Sequence, residues 1–203
     1  MMAPRAGHAA LRAGPVHAGP IQAGPLQRRR WRLDAQWRPL CAAAPTQVIG
    51  VPGYGRGLRP HLLIDGRSLQ RKPEFHLTVI GSRLGRRLLA WIDAGRLDEA
   101  ALAALFEAGD WSLRPRPRCY LLSRPAAGRG GRQVSVVQMV DVPQLAAFYR
   151  QLRRLLPRSA AVPTPPPHIT LYTRNGPQGI GVCSEQALRA LVQRPLDQAL
   201  MLR

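Results

Sequence analysis

The sequence predicts an α+β protein built as two pseudo-symmetric lobes of antiparallel sheet, with helices on the outside and an active-site cleft between the lobes. Three observations lead there. Runs of β-branched, aromatic and aliphatic residues bounded by Pro and Gly read as strands, and they interleave with apolar stripes at helical spacing. The interleaving lacks the regular strand–helix–strand rhythm of a parallel sheet. Finally, one short phrase (histidine, aliphatic, threonine, aliphatic) occurs twice, at residues 76–79 and 168–171. The copies lie about 90 positions apart, roughly one lobe of chain each.

In chain order, residues 1–45 differ from the rest. Ala13-Gly14-Pro15, Ala18-Gly19-Pro20 and Ala23-Gly24-Pro25 repeat a pattern that blocks helix and sheet alike, so a disordered basic arm is expected. The prolines spoil the amphipathic helix of a transit peptide, and the apolar core of a secretory signal is missing. His8 and His17 fall in this arm and receive no catalytic role. Arg28 to Arg32, with Trp31 among them, reads as a solvated charge run, or as a contact for RNA by charge and stacking.

The folded domain is expected over 46–203. Residues 47–51 and 61–64 read as strands, joined by Gly53-Tyr54-Gly55-Arg56-Gly57. Alternating glycines can form a phosphate-cradling nest, and a flexible crossover loop is the simpler reading. His61, alone at a strand start, is read as structural or surface. After the strand at 75–80, Leu88, Leu89 and Ile92 mark a helix over 84–92. Asp98 suits the N-cap of a second helix, with Leu102, Leu105 and Phe106 inward until Gly109. Residues 111–122 look extended, with Pro115 and Pro117 suiting an edge. The loop at 126–131 then makes the basic tip of a hairpin returning over 133–140. Pro143 opens a helix with the apolar stripe Leu145, Phe148, Leu152 and Leu155. Prolines at 163 and 165–167 stiffen the approach to the second phrase. A last helix runs from Ser184 through Leu188, Leu191 and Val192.

Composition sets the class. The 203 residues suffice for one two-lobed domain or two small ones. The formal charge is +19, and of the 30 basic residues only Lys72 is lysine. A GC-rich coding sequence explains part of such a bias, yet the field acts whatever its origin. It favours polyanions: RNA, nucleotides or anionic membrane surfaces. Cys41, Cys119 and Cys183 have no paired or metal-type spacing, which argues for a reducing compartment, the cytoplasm, and against a disulfide scaffold. No apolar run approaches the ~20 residues of a membrane span. Neither His-x-x-x-His nor Cys-x-x-Cys occurs, so no metal and no cofactor are expected, and the chain is expected to be a monomer.

Side chains on a strand alternate between faces. His76 and Thr78 therefore share one face while Leu77 and Val79 point into a core; His168 and Thr170 stand likewise against Ile169 and Leu171. A lone His-x-Thr on a strand is usually structural. Two copies among five histidines are another matter. Phosphodiester cleavage needs a base for the attacking oxygen and an acid for the leaving one, and two imidazoles can share that work near neutral pH. The threonine hydroxyls can donate to phosphoryl oxygens as charge builds. Tyr172, one period further on, could stack on a base, bind phosphate or simply pack at the rim; Arg174 is a weaker candidate for phosphate contact.

The paired tetrads, with their aliphatic flanks and separation, resemble those of the 2H phosphoesterase superfamily, which includes bacterial 2'-5' RNA ligase-like proteins and cyclic nucleotide phosphodiesterases. The resemblance spans residue 46 to the C-terminus, and its specific part is the two tetrads. It implies metal-independent hydrolysis of a 2',3'-cyclic phosphate on a nucleotide or RNA end. Catalysis would fall to His76, Thr78, His168 and Thr170, and substrate binding to Tyr172 and Arg174. Two competing readings are an RNA-binding protein that keeps the cleft without turnover, and a ligase joining RNA ends through a 2'-5' linkage. Which histidine is base and which is acid stays open at this stage.

Overall fold

A computed structural model describes residues 30–126, 131–158 and 160–202 of the chain. Nine antiparallel strands among these residues join in one curled, half-barrel sheet, with four α-helices packed on it. In chain order the elements are β1 (Trp31–Arg32), β2 (Gln47–Gly50), β3 (His61–Ile64), β4 (Arg67–Arg71), β5 (His76–Ile80), α1 (Ser82–Asp93) and α2 (Glu99–Glu107). They continue with β6 (Ser112–Pro125), β7 (Arg132–Asp141), α3 (Pro143–Leu155), β8 (His168–Arg174), α4 (Glu185–Leu191) and β9 (Val192–Leu196), then a 3-10 turn at Gln198–Met201.

Strand β8 is the hub. One side pairs with β7 along most of its length. The other side is shared: β4 takes the C-terminal end, Gln70 opposite Thr173, and β5 takes the N-terminal end, Leu77 opposite Ile169. Beyond them β2 extends β5, β3 extends β4, and β6 extends β7, with β9 and β1 on the far side of β6.

Local chemistry explains most of the elements. Asp98 and Ser184 cap α2 and α4 by accepting from the amides of Ala100 and Ala187, and Pro143 opens α3. Asp65-Gly66 takes positive φ at both residues, the two-residue turn that reverses β3 into β4. Only Leu69 is apolar in β4, so hydrophobic patterning does not announce that strand. Strand β6 is not an edge. Pro115 and Pro117 fall in the stretch where β1 has ended, β9 has not begun, and the register against β7 shifts. At the C-terminus, α4 ends at Leu191 and Val192 opens β9, and Leu155 at the end of α3 is exposed.

The larger core lies under the sheet face that carries Leu77, Val79, Ile169 and Leu171, where Leu88, Leu102, Phe106, Leu145, Phe148 and Leu152 come in from α1, α2 and α3. A smaller cluster of Leu122, Val137, Ile180, Val182 and Leu188 brings α4 onto the opposite face. The packed chain begins earlier than residue 46. Trp31, Leu33, Trp37 and Leu40 belong to the larger core, and the amides of Trp37 and Leu40 donate to Glu107 and Glu99. Residues 1–29 of the expected arm, with His8 and His17, lie outside the described residues, as does the expected basic tip at 127–130.

Gly85 shows how tightly the early segment is seated. A Cβ there would stand 1.6 Å from the carbonyl oxygen of Pro45. Gly→Ala inside a helix ordinarily gains about 1 kcal/mol. Here backbone must move, so Gly85→Ala is expected to destabilise by roughly 1–3 kcal/mol or more, read as a lower urea midpoint at unchanged m-value. A raised midpoint would show that the 40–46 segment does not pack on α1.

Candidate active site

The contact between β5 and β8 builds the site. Leu77 lies opposite Ile169 in an antiparallel pair, so His76 falls opposite Thr170 and Thr78 opposite His168. All four side chains take the face away from the core and are half-buried, whereas Leu77 and Ile169 beneath them are fully buried. Directly opposed side chains on such a face have Cβ atoms about 4.5–5.5 Å apart, and diagonal ones about 7–8 Å. The two imidazoles are the diagonal pair. That diagonal spacing leaves room between the rings for a tetrahedral group, with the threonine hydroxyls beside it as donors. The next strands add Gly50 beside His76, Val48 beside Thr78, Met139 beside His168 and Val137 beside Thr170.

Each histidine has a distinct setting. The Nδ1 of His168 lies 2.8 Å from the carbonyl oxygen of Pro166. A carbonyl only accepts, so Nδ1 carries the proton and Nε2 is the nitrogen left for a substrate. Burial lowers the pKa of His168, and this hydrogen bond opposes the shift in part. Burial also lowers the pKa of His76, and the positive field of Lys72 and the second imidazole push the same way against Glu74. An effect of the His168 ring on His76 agrees with the register.

Lys72 is the residue the motif reading misses. Its amide donates to the Leu171 carbonyl and its ammonium to the Pro177 carbonyl at 2.6 Å, tying the end of β4 to the turn after β8. Being the sole lysine in an arginine-rich chain was the available signal. The same turn is pinned over Thr170. Ile180 donates to Ser135 Oγ, Gln133 donates to the Gly179 carbonyl, and a Cβ on Gly179 (φ +75°) would come within 3.0 Å of the Thr170 methyl.

Two expected residues do not join the quartet. Strand alternation alone puts Tyr172 on the face of His168 and Thr170, but β8 bulges between them: Thr170 faces Val137 while Tyr172 faces Val136. The extra residue turns Tyr172 into the larger core, fully buried, where its hydroxyl donates to the Arg59 carbonyl at 3.0 Å. Its side chain packs in the core rather than beside the quartet. Arg174 sits opposite Val134, roughly 13 Å along the strand from Thr170.

Among the described residues no group of three His, Cys, Asp or Glu side chains could hold a metal ion, and no helix is long and apolar enough to cross a membrane. Comparison with family models, curated proteins and solved structures returns no match for this chain.

Because both rings are held more neutral in the fold than in the unfolded chain, where histidine titrates near ~6.5, the folded state binds fewer protons below that pH. Their contribution to stability is therefore full above about pH 6.5 and declines as pH falls through the folded pKa values. Ring Cε1 resonances in an NMR titration should show both histidines titrating below the ordinary value. Lys72→Met should move His76 upward and leave His168 nearly fixed. A His76 curve indifferent to Lys72 would refute this picture of the site.

Proposed function

We propose that this protein is a 2H-type phosphoesterase that opens 2',3'-cyclic phosphates on RNA ends or nucleotides by acid–base catalysis shared between His76 and His168. The observation that carries the proposal is the Leu77–Ile169 register, which brings both His-x-Thr phrases onto one half-buried face. On this reading the sheet works as two lobes meeting along β5 and β8. Each contributes one histidine strand flanked by an antiparallel neighbour, β2 in the first and β7 in the second. The cleft is the space over the quartet.

The step balances within the quartet. One imidazole takes a proton from water as the water oxygen bonds to phosphorus. The P–O3' bond breaks, the other imidazole gives its proton to O3', and a 2'-phosphate remains. Thr78 and Thr170 donate to the non-bridging oxygens as charge grows there. The ammonium of Lys72 opposes a positive His76, and the Pro166 carbonyl supports a positive His168. His76 is thus the better base and His168 the better acid. The three cysteines form no disulfide, in keeping with a reducing compartment such as the cytoplasm.

The test is turnover of a 2',3'-cyclic mononucleotide in EDTA. Hydrolysis to the 2'-phosphate is expected, with a bell-shaped pH profile. His76→Ala and His168→Ala should each lower kcat by about 10²–10⁴-fold, the usual worth of a general acid or base. No turnover, or turnover that survives both substitutions, would overturn the proposal. Binding without turnover would favour an RNA-binding protein, and joined RNA halves a ligase.

A further inference from the structure

The Gly-rich loop after β2 forms one wall of a cavity of about 490 Å³ whose other wall is the start of β5, including His76 itself. Its volume lies in the roughly 300–1,000 Å³ range of small-molecule sites, more than one phosphate needs. Arg38, Arg56 and Arg71 line it against a single carboxylate, Glu74. The cavity reaches His76 past Gly50, which has open space where a Cβ would stand. His168 is not part of its lining.

The loop is held rather than loose. Tyr54 is buried, its hydroxyl donates to Gln138 Oε1 at 2.8 Å, and its ring packs on Trp31 and Phe75. Gly55 takes φ +70°, and a Cβ there would lie 2.7 Å from the Phe75 ring, so only glycine lets the loop close on that ring. Arg56 follows on the exposed side and folds back towards Gly53. Arg71 spends Nη1 on the Leu58 carbonyl, and a guanidinium carries five N–H donors in all. Forked, permanently charged donors suit a phosphodiester. A second cavity, of about 510 Å³ near Pro167, has less of that freedom: of its three arginines, Arg116 is paired with Asp141 and Arg30 with Ser112, leaving Arg114.

We propose that this arginine-lined cavity binds the phosphodiester one nucleotide upstream of the cyclic end, which makes a single-stranded RNA 3' end, rather than a free nucleotide, the preferred substrate. The inference rests on the function proposed above. With the terminal phosphate between the imidazoles, the chain leaves over β5, because the cavity opens on His76 and not on His168.

The experiment compares a 2',3'-cyclic mononucleotide with an oligoribonucleotide ending in the same cyclic nucleotide, using the full chain at two salt concentrations. Wild type should favour the oligonucleotide in kcat/KM by about 10–100-fold at low salt, the scale of one or two hydrogen bonds to a charged group. Arg56→Ala and Arg56→Glu, both at an exposed position, should erase most of that preference through KM. Arg56→Ala should also flatten the salt slope by about 0.7 for each phosphate left without its guanidinium. Equal falls on both substrates, or none on either, would overturn the proposal. A separate arm measures anisotropy of a labelled oligoribonucleotide bearing a 3'-phosphate on wild type, Arg56→Ala and His168→Ala. Arginine-dependent binding with no turnover of either substrate would uphold the subsite and sink the hydrolase reading. Binding indifferent to Arg56 would sink the subsite, whatever the turnover.

Discussion

One antiparallel pair, Leu77 opposite Ile169, sets everything at the site. Sheet side chains have period two, so a slip of either strand by one residue would turn its own histidine and threonine into the core. The same slip would lift Leu77 and Val79, or Ile169 and Leu171, out of it, residues at 0–1 % exposure. Each such side chain is worth about 1.5–3 kcal/mol of burial. Either pair outweighs any gain from a new ladder. The register that aligns the quartet is therefore enforced by packing on the reverse face, and the four polar groups need no contacts among themselves to stay aligned.

Electrostatics adds a second constraint. Two imidazoles placed diagonally and partly desolvated, one of them near an ammonium, resist protonation. A bound phosphate reverses the local field and favours one imidazolium beside it. The fold thus stays stable at neutral pH with both rings neutral. On the proposed mechanism, the proton needed by the leaving group becomes favourable only once the anion that uses it has arrived.

Much of this was legible in the sequence, and the misses have physical causes. His76, Thr78, His168 and Thr170 were readable because strand alternation is a local property, and it held in both tetrads up to the bulge. Tyr172 was misplaced because that bulge belongs to the pairing of β8 with β7, and no single strand shows its partner. Strand β4 was missed because one apolar residue makes no pattern, although Asp65-Gly66 signalled the hairpin. Residues 30–45 looked like part of the arm because their large apolar side chains, Trp31, Leu33, Trp37 and Leu40, do not all fit one helical or one strand spacing. Their partners, Glu99, Glu107 and Trp111, come from far along the chain.

The chain's net charge and the arginines of its cavity act over different ranges. A formal charge of +19 raises the encounter rate with any polyanion, but at physiological salt its reach is cut to about 8 Å. It selects no particular phosphate. Selection needs guanidiniums fixed at a set distance from the reacting phosphorus, and on the proposed reading anchoring Tyr54 to Gln138 would supply this, since Arg56 is carried two residues further along the same braced loop. Gln138 in turn lies opposite Ile169. The loop, the cavity and the imidazoles are thus referred to the same short stretch of β8, so a shift in that strand would move all three together.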